Sequence, residues 1–172
     1  MITYSRSVFE FPNPVNEKAA RAVAAGVVIT CIATLVLTIA FGHAWIWLTV
    51  VLAYGFLARV ATGPTLSPLG QLATRVVAPR LGTARPVPGP PKRFAQAIGA
   101  TLSVLAAVLG VGVGLDTLAL VLVAMILVAA TLESVFAICL GCMIFARLMR
   151  IGWIPEDVCA ECNDVAARLG TA

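Results

Sequence analysis

The stretch AVAAGVVITCIATLVLTIAF, Ala22 to Phe41, carries no charged residue over a length that matches a bilayer's hydrocarbon core. About 20 residues, each rising about 1.5 Å, span roughly 30 Å. Further apolar runs follow at Trp45 to Ala61, at Phe94 to Gly114, and from Leu118 almost without interruption to Met149. Lipid offers the backbone no hydrogen-bond partner, so such runs fold as helices that satisfy their own N–H and C=O groups. Composition agrees, with 60% hydrophobic and 12% charged residues, whereas soluble domains carry about 25% charged. The expected fold is an all-α integral membrane protein with four transmembrane helices in two hairpins, at about 22–41, 45–61, 94–114 and 117–146.

Two tight turns, at Gly42–Ala44 and in VGVGLD, close the hairpins, and Trp45 and Trp47 flank the first at headgroup level. The connector 62–93 places Leu69, Leu72 and Val76 at helical spacing among Gln71, Arg75 and Arg80, which predicts an amphipathic interfacial helix ended by Pro79. ARPVPGPPKR then reads as extended backbone. Residues 1–21 are polar and lack the apolar core of a secretory signal, and residues 151–172 form a polar tail. Of the twelve Lys and Arg residues, eleven fall before the first run, between the second and third, or after the fourth. That asymmetry predicts both termini in the cytoplasm. A shift of 72 residues superimposes Arg21 on Arg93, Ala25 on Ala97 and Gly42 on Gly114, a faint internal repeat of entry, helix, turn and return.

FAICLGCMIF places Cys139 and Cys142 in the last apolar run, and VCAEC repeats the spacing at Cys159 and Cys162. On an unbroken helix the first two thiols face one side, about 60° apart, within disulfide reach. Three roles stay open. CxxC spacing supports reversible dithiol chemistry, with Cys139 and Cys142 as the working pair and Cys159 and Cys162 as relay. The same four residues fall within the C-x2-C…C-x2-C spacing of a zinc site. They also suit plain packing, as does Cys31 within the first helix.

Arg59 and Glu133 lie at matching depth in the second and fourth runs, which predicts an intramembrane ion pair or a proton or anion site. A single histidine, His43, excludes a bis-histidine haem within one chain. The glycines of LGVGVGLD end a helix rather than follow a strand, so a dinucleotide site is not expected, nor is nucleic acid binding.

NPVNEKAAR, VVAPRLG, PKRFAQAIG and FAICLGCMIF together resemble the domain-of-unknown-function family forty-three ninety-five, from about Asn13 to Arg150. The resemblance implies a small four-helix protein of the bacterial inner membrane with a CxGC in its last helix. The family's activity is not established. Its association with thioredoxin-like and sulfurtransferase proteins implies partners of that kind, and the chain could also serve as a subunit or scaffold in a membrane complex or homo-oligomer. Where the family commonly has an acidic residue after CxGC, this chain has Met143. Cys159 and Cys162 lie outside the resemblance.

Overall fold

A computed structural model describes residues 11–159 and Cys162. Arg6, Arg168 and most of the C-terminal tail lie outside the described residues. The chain is overwhelmingly helical, and four helical segments are long and apolar enough to cross a membrane. They are α1 (Glu17–Phe41), a 3-10 turn His43–Trp47 running into α2 (Leu48–Thr62), α5 (Gly89–Ala107) with its wide-turned end Val108–Val113, and α6 (Asp116–Phe136). Ile29, Val36, Ile39, Val51, Val121 and Val128 stand exposed around the outside, the pattern of a surface solvated by lipid rather than water. The chain is a multi-pass membrane protein.

The core is made by α1 against α6 and α2 against α5, while α1 and α2 meet only lightly. Small residues on α5 permit this. Gly99, Ala100, Ser103, Ala106 and Gly110 form its buried face, Phe56 of α2 fills the notch at Gly99, and Ile46 that at Gly110. Close approach of this kind supplies helix association in lipid, where packing replaces the hydrophobic drive.

The two hairpins make matching contacts in the register of the 72-residue repeat. β1 (Val15–Asn16) pairs antiparallel with β2 (Pro86–Val87), with Val15 opposite Val87. Gly42 and Gly114 turn the two hairpins at φ of 92° and 79°. There His43 Nδ1 lies 2.8 Å from Asp116 Oδ1, joining the two turns. At the opposite end Arg21 donates to the carbonyls of Ser134 and Val135 at the close of α6. Its repeat partner Arg93 donates to the Val60 carbonyl near the close of α2. Each hairpin's entry arginine thus caps the other's returning helix, where carbonyls and helix dipole favour a cation.

The helix expected in the connector is present, as α3 (Pro68–Leu72), a π-helical stretch Ala73–Val77 and α4 (Ala78–Arg80). Pro79 does not end it, because the wide turns just before the proline absorb its missing N–H. Ser67, Gly70, Ala73 and Ala78 are buried, whereas Leu72 is exposed. The N-terminal end leans inward, for Leu69 seats against Gly26 of α1 and Tyr54 of α2 donates to the Leu66 carbonyl. The segment PGPPKR also departs from the extended expectation after Val87. Gly89 opens α5, with Pro90 and Pro91 in its first turn, where an absent N–H costs nothing.

The fourth span differs most from expectation. Instead of one helix to residue 146, α6 closes at Phe136, and α7 (Leu140–Arg150) begins after a break of three residues. Ala137 sits in the left-handed region at φ 59° and caps α6 through its N–H to the Leu132 carbonyl. Glycine relieves the Cβ clash of that conformation, so Ala137→Gly is expected to stabilise the fold by about 1 kcal/mol, read as a higher melting temperature in detergent.

Candidate functional site

The break places Cys139 as the N-cap of α7. Its backbone is extended (φ −98°, ψ 101°), and its Sγ accepts from the Cys142 N–H at 3.4 Å. The sulfur therefore faces the unsatisfied donors and positive end of a helix, which favour a negative charge. The repeat contains the same construction at residues 67 and 70, where Ser67 Oγ caps α3 and accepts from the Gly70 N–H at 3.2 Å. Ser67 and Cys139 are 72 residues apart, as are Gly70 and Cys142. The second half of the molecule thus carries thiols at a cap that the first half builds from serine and glycine.

The two thiols are unequal. Cys139 is buried and Cys142 half-buried, and both are free. Cys142's thiol donates to the Cys139 sulfur and holds the Cys139 thiol below its ordinary value, with Lys92 acting in the same direction and burial and Glu133 opposing. That same donated bond, with burial, pushes Cys142 far up. Of the two sulfurs, Cys139 is the more acidic.

Gly141 makes this placement possible. A Cβ there would lie 2.5 Å from the Ala95 Cβ and 2.6 Å from the Ala95 Cα, so α7 lies directly on the backbone of α5. Gly141→Ala is expected to push α7 away and cost about 1–3 kcal/mol. In a detergent melt this appears as a lower midpoint accompanied by faster alkylation of Cys139 as its cover loosens.

Lys92 Nζ lies 2.6 Å from Glu133 Oε1, and both side chains are largely buried (12% and 16% exposed). The expected Arg59–Glu133 pair is therefore corrected. Lys92 reaches Glu133 because α5 starts at Gly89 and carries Lys92 in its first turn, rather than leaving it in a linker. Arg59 is buried and donates from Nε to Gln96 Oε1 (2.9 Å) and from Nη1 to Ser67 Oγ (3.3 Å), with its guanidinium 4.5 Å from the Phe56 ring centre. Among the described residues, the largely buried charges at this end are thus two cations, Arg59 and Lys92, and one carboxylate, Glu133. Glu133 and Cys139 also line one cavity of about 260 Å³. The break at Ala137 lets Glu133 of α6 and Cys139 of α7 face the same space.

Cys159 and Cys162 are joined as a disulfide. They pack with Phe145 and Met149 on α7, Phe94 on α5, and Ile154, about 5–10 Å further along α7 than Cys142 by helix rise. The four cysteines expected as possible zinc ligands, Cys139, Cys142, Cys159 and Cys162, thus stand as two separate pairs in this structure. Disulfide sulfurs are not thiolate ligands, and among the described residues no three His, Cys, Asp or Glu side chains come together as metal ligands. Cys31 is fully buried in the main core, as packing required.

Comparison with curated proteins gives no match, and neither does comparison with solved structures. A family described as Domain of unknown function (DUF4395) matches residues 15–150, covering both hairpins, the connector helix and α7 with its CLGC. The chain belongs to the DUF4395 family.

Proposed function

We propose that the protein is a thiol–disulfide exchange component of the bacterial cytoplasmic membrane, with Cys139 as the attacking thiol and Cys142 as the resolving one. The observation that carries this is the N-cap position of Cys139, whose sulfur accepts from Cys142 at the start of α7. The buried charges support it, because Lys92 and Arg59 outnumber Glu133 by one and a thiolate at Cys139 balances the set. In the exchange, the Cys139 thiolate attacks a partner disulfide, forms a mixed disulfide and expels one partner thiolate. Cys139 then no longer accepts the Cys142 proton, so the main cause of Cys142's weak acidity is gone. Cys142 passes its proton to the expelled thiolate and attacks the Cys139 sulfur. The Cys139–Cys142 bond forms, and the partner leaves with one thiol and one thiolate, which takes from solvent the proton that Cys139 lost on ionising.

Basic residues cluster at the end that holds the thiols, which supports a cytoplasmic placement of that end and of both termini. A thioredoxin-like or sulfurtransferase protein is the partner class in this reading, and Cys159–Cys162, packed on the same helix α7, is an internal relay. The test is dithiol–disulfide exchange by purified protein in lipid nanodiscs, with oxidised thioredoxin as the disulfide. Oxidation of Cys139 and Cys142 together, one disulfide per thioredoxin reduced, is the expected result. Thiols that remain reduced at every thioredoxin concentration would overturn the assignment.

A further inference from the structure

Resting on that reading, we infer that the cavity behind Cys139 takes a quinone-type, lipid-soluble two-electron acceptor, to which the thiol pair passes electrons. The cavity lies between α1, α5, α6 and α7. Its polar groups gather at one end, where Cys139, Glu133 and Gln96 line it. From Glu133 it follows α6 to Met125, eight residues or about 12 Å deeper. The remainder of its lining is apolar, including Val27, Leu102 and Ile126.

It is also open sideways. Met125, Leu140 and Ile144 line it while standing 53%, 39% and 47% exposed on the outside of the bundle. A ligand therefore enters from the surface that lipid covers. The occupant must have a flat or flexible apolar body, hydrogen-bonding oxygens at one end, and a reaction that a vicinal dithiol can drive. A quinone meets all three, with its carbonyls toward Gln96 and Glu133 and its ring or tail along Leu102 and Ile126. An acyl chain meets the first two and offers no sink for electrons.

The chemistry balances. The sulfurs of Cys139 and Cys142 join and release two electrons, the Cys139 sulfur as thiolate and the Cys142 sulfur with its proton. The quinone takes both electrons and two protons to become a quinol. One proton is that of Cys142, and the other is the one Cys139 lost on ionising, returned through Glu133 at the cavity's polar end. The same thiol–disulfide exchange run in reverse, with a reduced dithiol partner as the electron donor, re-forms the thiol pair, and the quinone then drains its two electrons within the bilayer.

The experiment uses the full-length, reduced protein in nanodiscs under anaerobic conditions with decylubiquinone. Quinol formation is followed by ultraviolet absorbance and Cys139–Cys142 oxidation by mass spectrometry, with thioredoxin exchange measured in parallel on the same samples. Saturable quinone reduction is expected, with one disulfide formed per quinol. Ala130→Phe and Met125→Trp, which narrow the cavity at separate points, are expected to slow it at least tenfold while thioredoxin exchange stays within twofold. Retained exchange shows that each variant is folded, and a variant that loses exchange is set aside for the other. The inference is overturned if exchange-competent wild type reduces quinone no faster than glutathione at equal thiol concentration. A covalent quinone adduct on Cys139 in place of the disulfide, or equal rates in wild type and both variants, overturns it too. Loss of thioredoxin exchange in the wild type itself instead defeats the exchange function on which the inference rests.

Discussion

Cys142→Ser is expected to trap a mixed disulfide between Cys139 and its partner, whereas Cys139→Ser is expected to reduce exchange to background, a loss of more than about a hundredfold. The difference follows from the geometry of α7. Cys139 holds the cap and the positive helix end, and Cys142, one turn on, supplies the proton-donating bond. Without Cys139 no sulfur occupies the cap of α7, and Cys142, one turn further on, does not reach that position. With alanine at position 142, which has no donor, the Cys139 sulfur loses the strongest influence that lowers it. The sign for pH follows. The wild-type thiolate at Cys139 persists as pH falls below the ordinary thiol value of 9.0, whereas in Cys142→Ala, which removes the donor, the midpoint moves back up. Iodoacetamide labelling of Cys139 across pH, read by peptide mass spectrometry, measures both midpoints. A wild-type midpoint at or above that of the variant contradicts the assignment.

The second large effect is expected at Lys92. Lys92→Met leaves Glu133 without its close partner in a largely dry site. Breaking a buried pair from one side costs about 3 kcal/mol, read as a clear drop in the detergent melting midpoint. Lys92→Met combined with Glu133→Gln removes both charges and is expected to recover most of that loss. The two single variants should also move Cys139 in opposite directions, since Lys92 lowers its thiol and Glu133 raises it. At neutral pH, alkylation of Cys139 is expected to slow by about threefold to tenfold in Lys92→Met and to quicken in Glu133→Gln. If both changes moved the rate the same way, they would point to loosened packing rather than to charge.

The spans were legible because they depend on little more than uninterrupted apolar length, and the hairpin turns because Gly42 and Gly114 sit where that length ends. The hinge before the thiols was not. Ala137 is a good helix former, and nothing around it marks a stop, yet it adopts a left-handed conformation because α6 must end where Arg21 caps its carbonyls. The signal that could have found the hinge was the repeat itself. Carried past residue 134, the 72-residue register sets Cys139 on Ser67, and Ser67-Pro68 is a plain helix start. The partner of Glu133 was missed for a related reason. PGPPKR reads as a linker until its prolines are placed in the first turn of α5, and only then does Lys92 stand on a helix facing α6. Matching depths along two returning helices suggested Arg59 instead. Depth alone does not fix which face a side chain occupies, and Arg59 turns toward Gln96 and Ser67.

The most direct test is a redox titration of the Cys159→Ser/Cys162→Ser double variant in nanodiscs. Its remaining thiols are differentially alkylated at each potential and read by mass spectrometry. A single reversible two-electron transition that links Cys139 to Cys142, with Cys139 the first to alkylate on the reduced side, is the expected result. Cys139 and Cys142 that stay as two independent thiols across the whole range would contradict the central assignment.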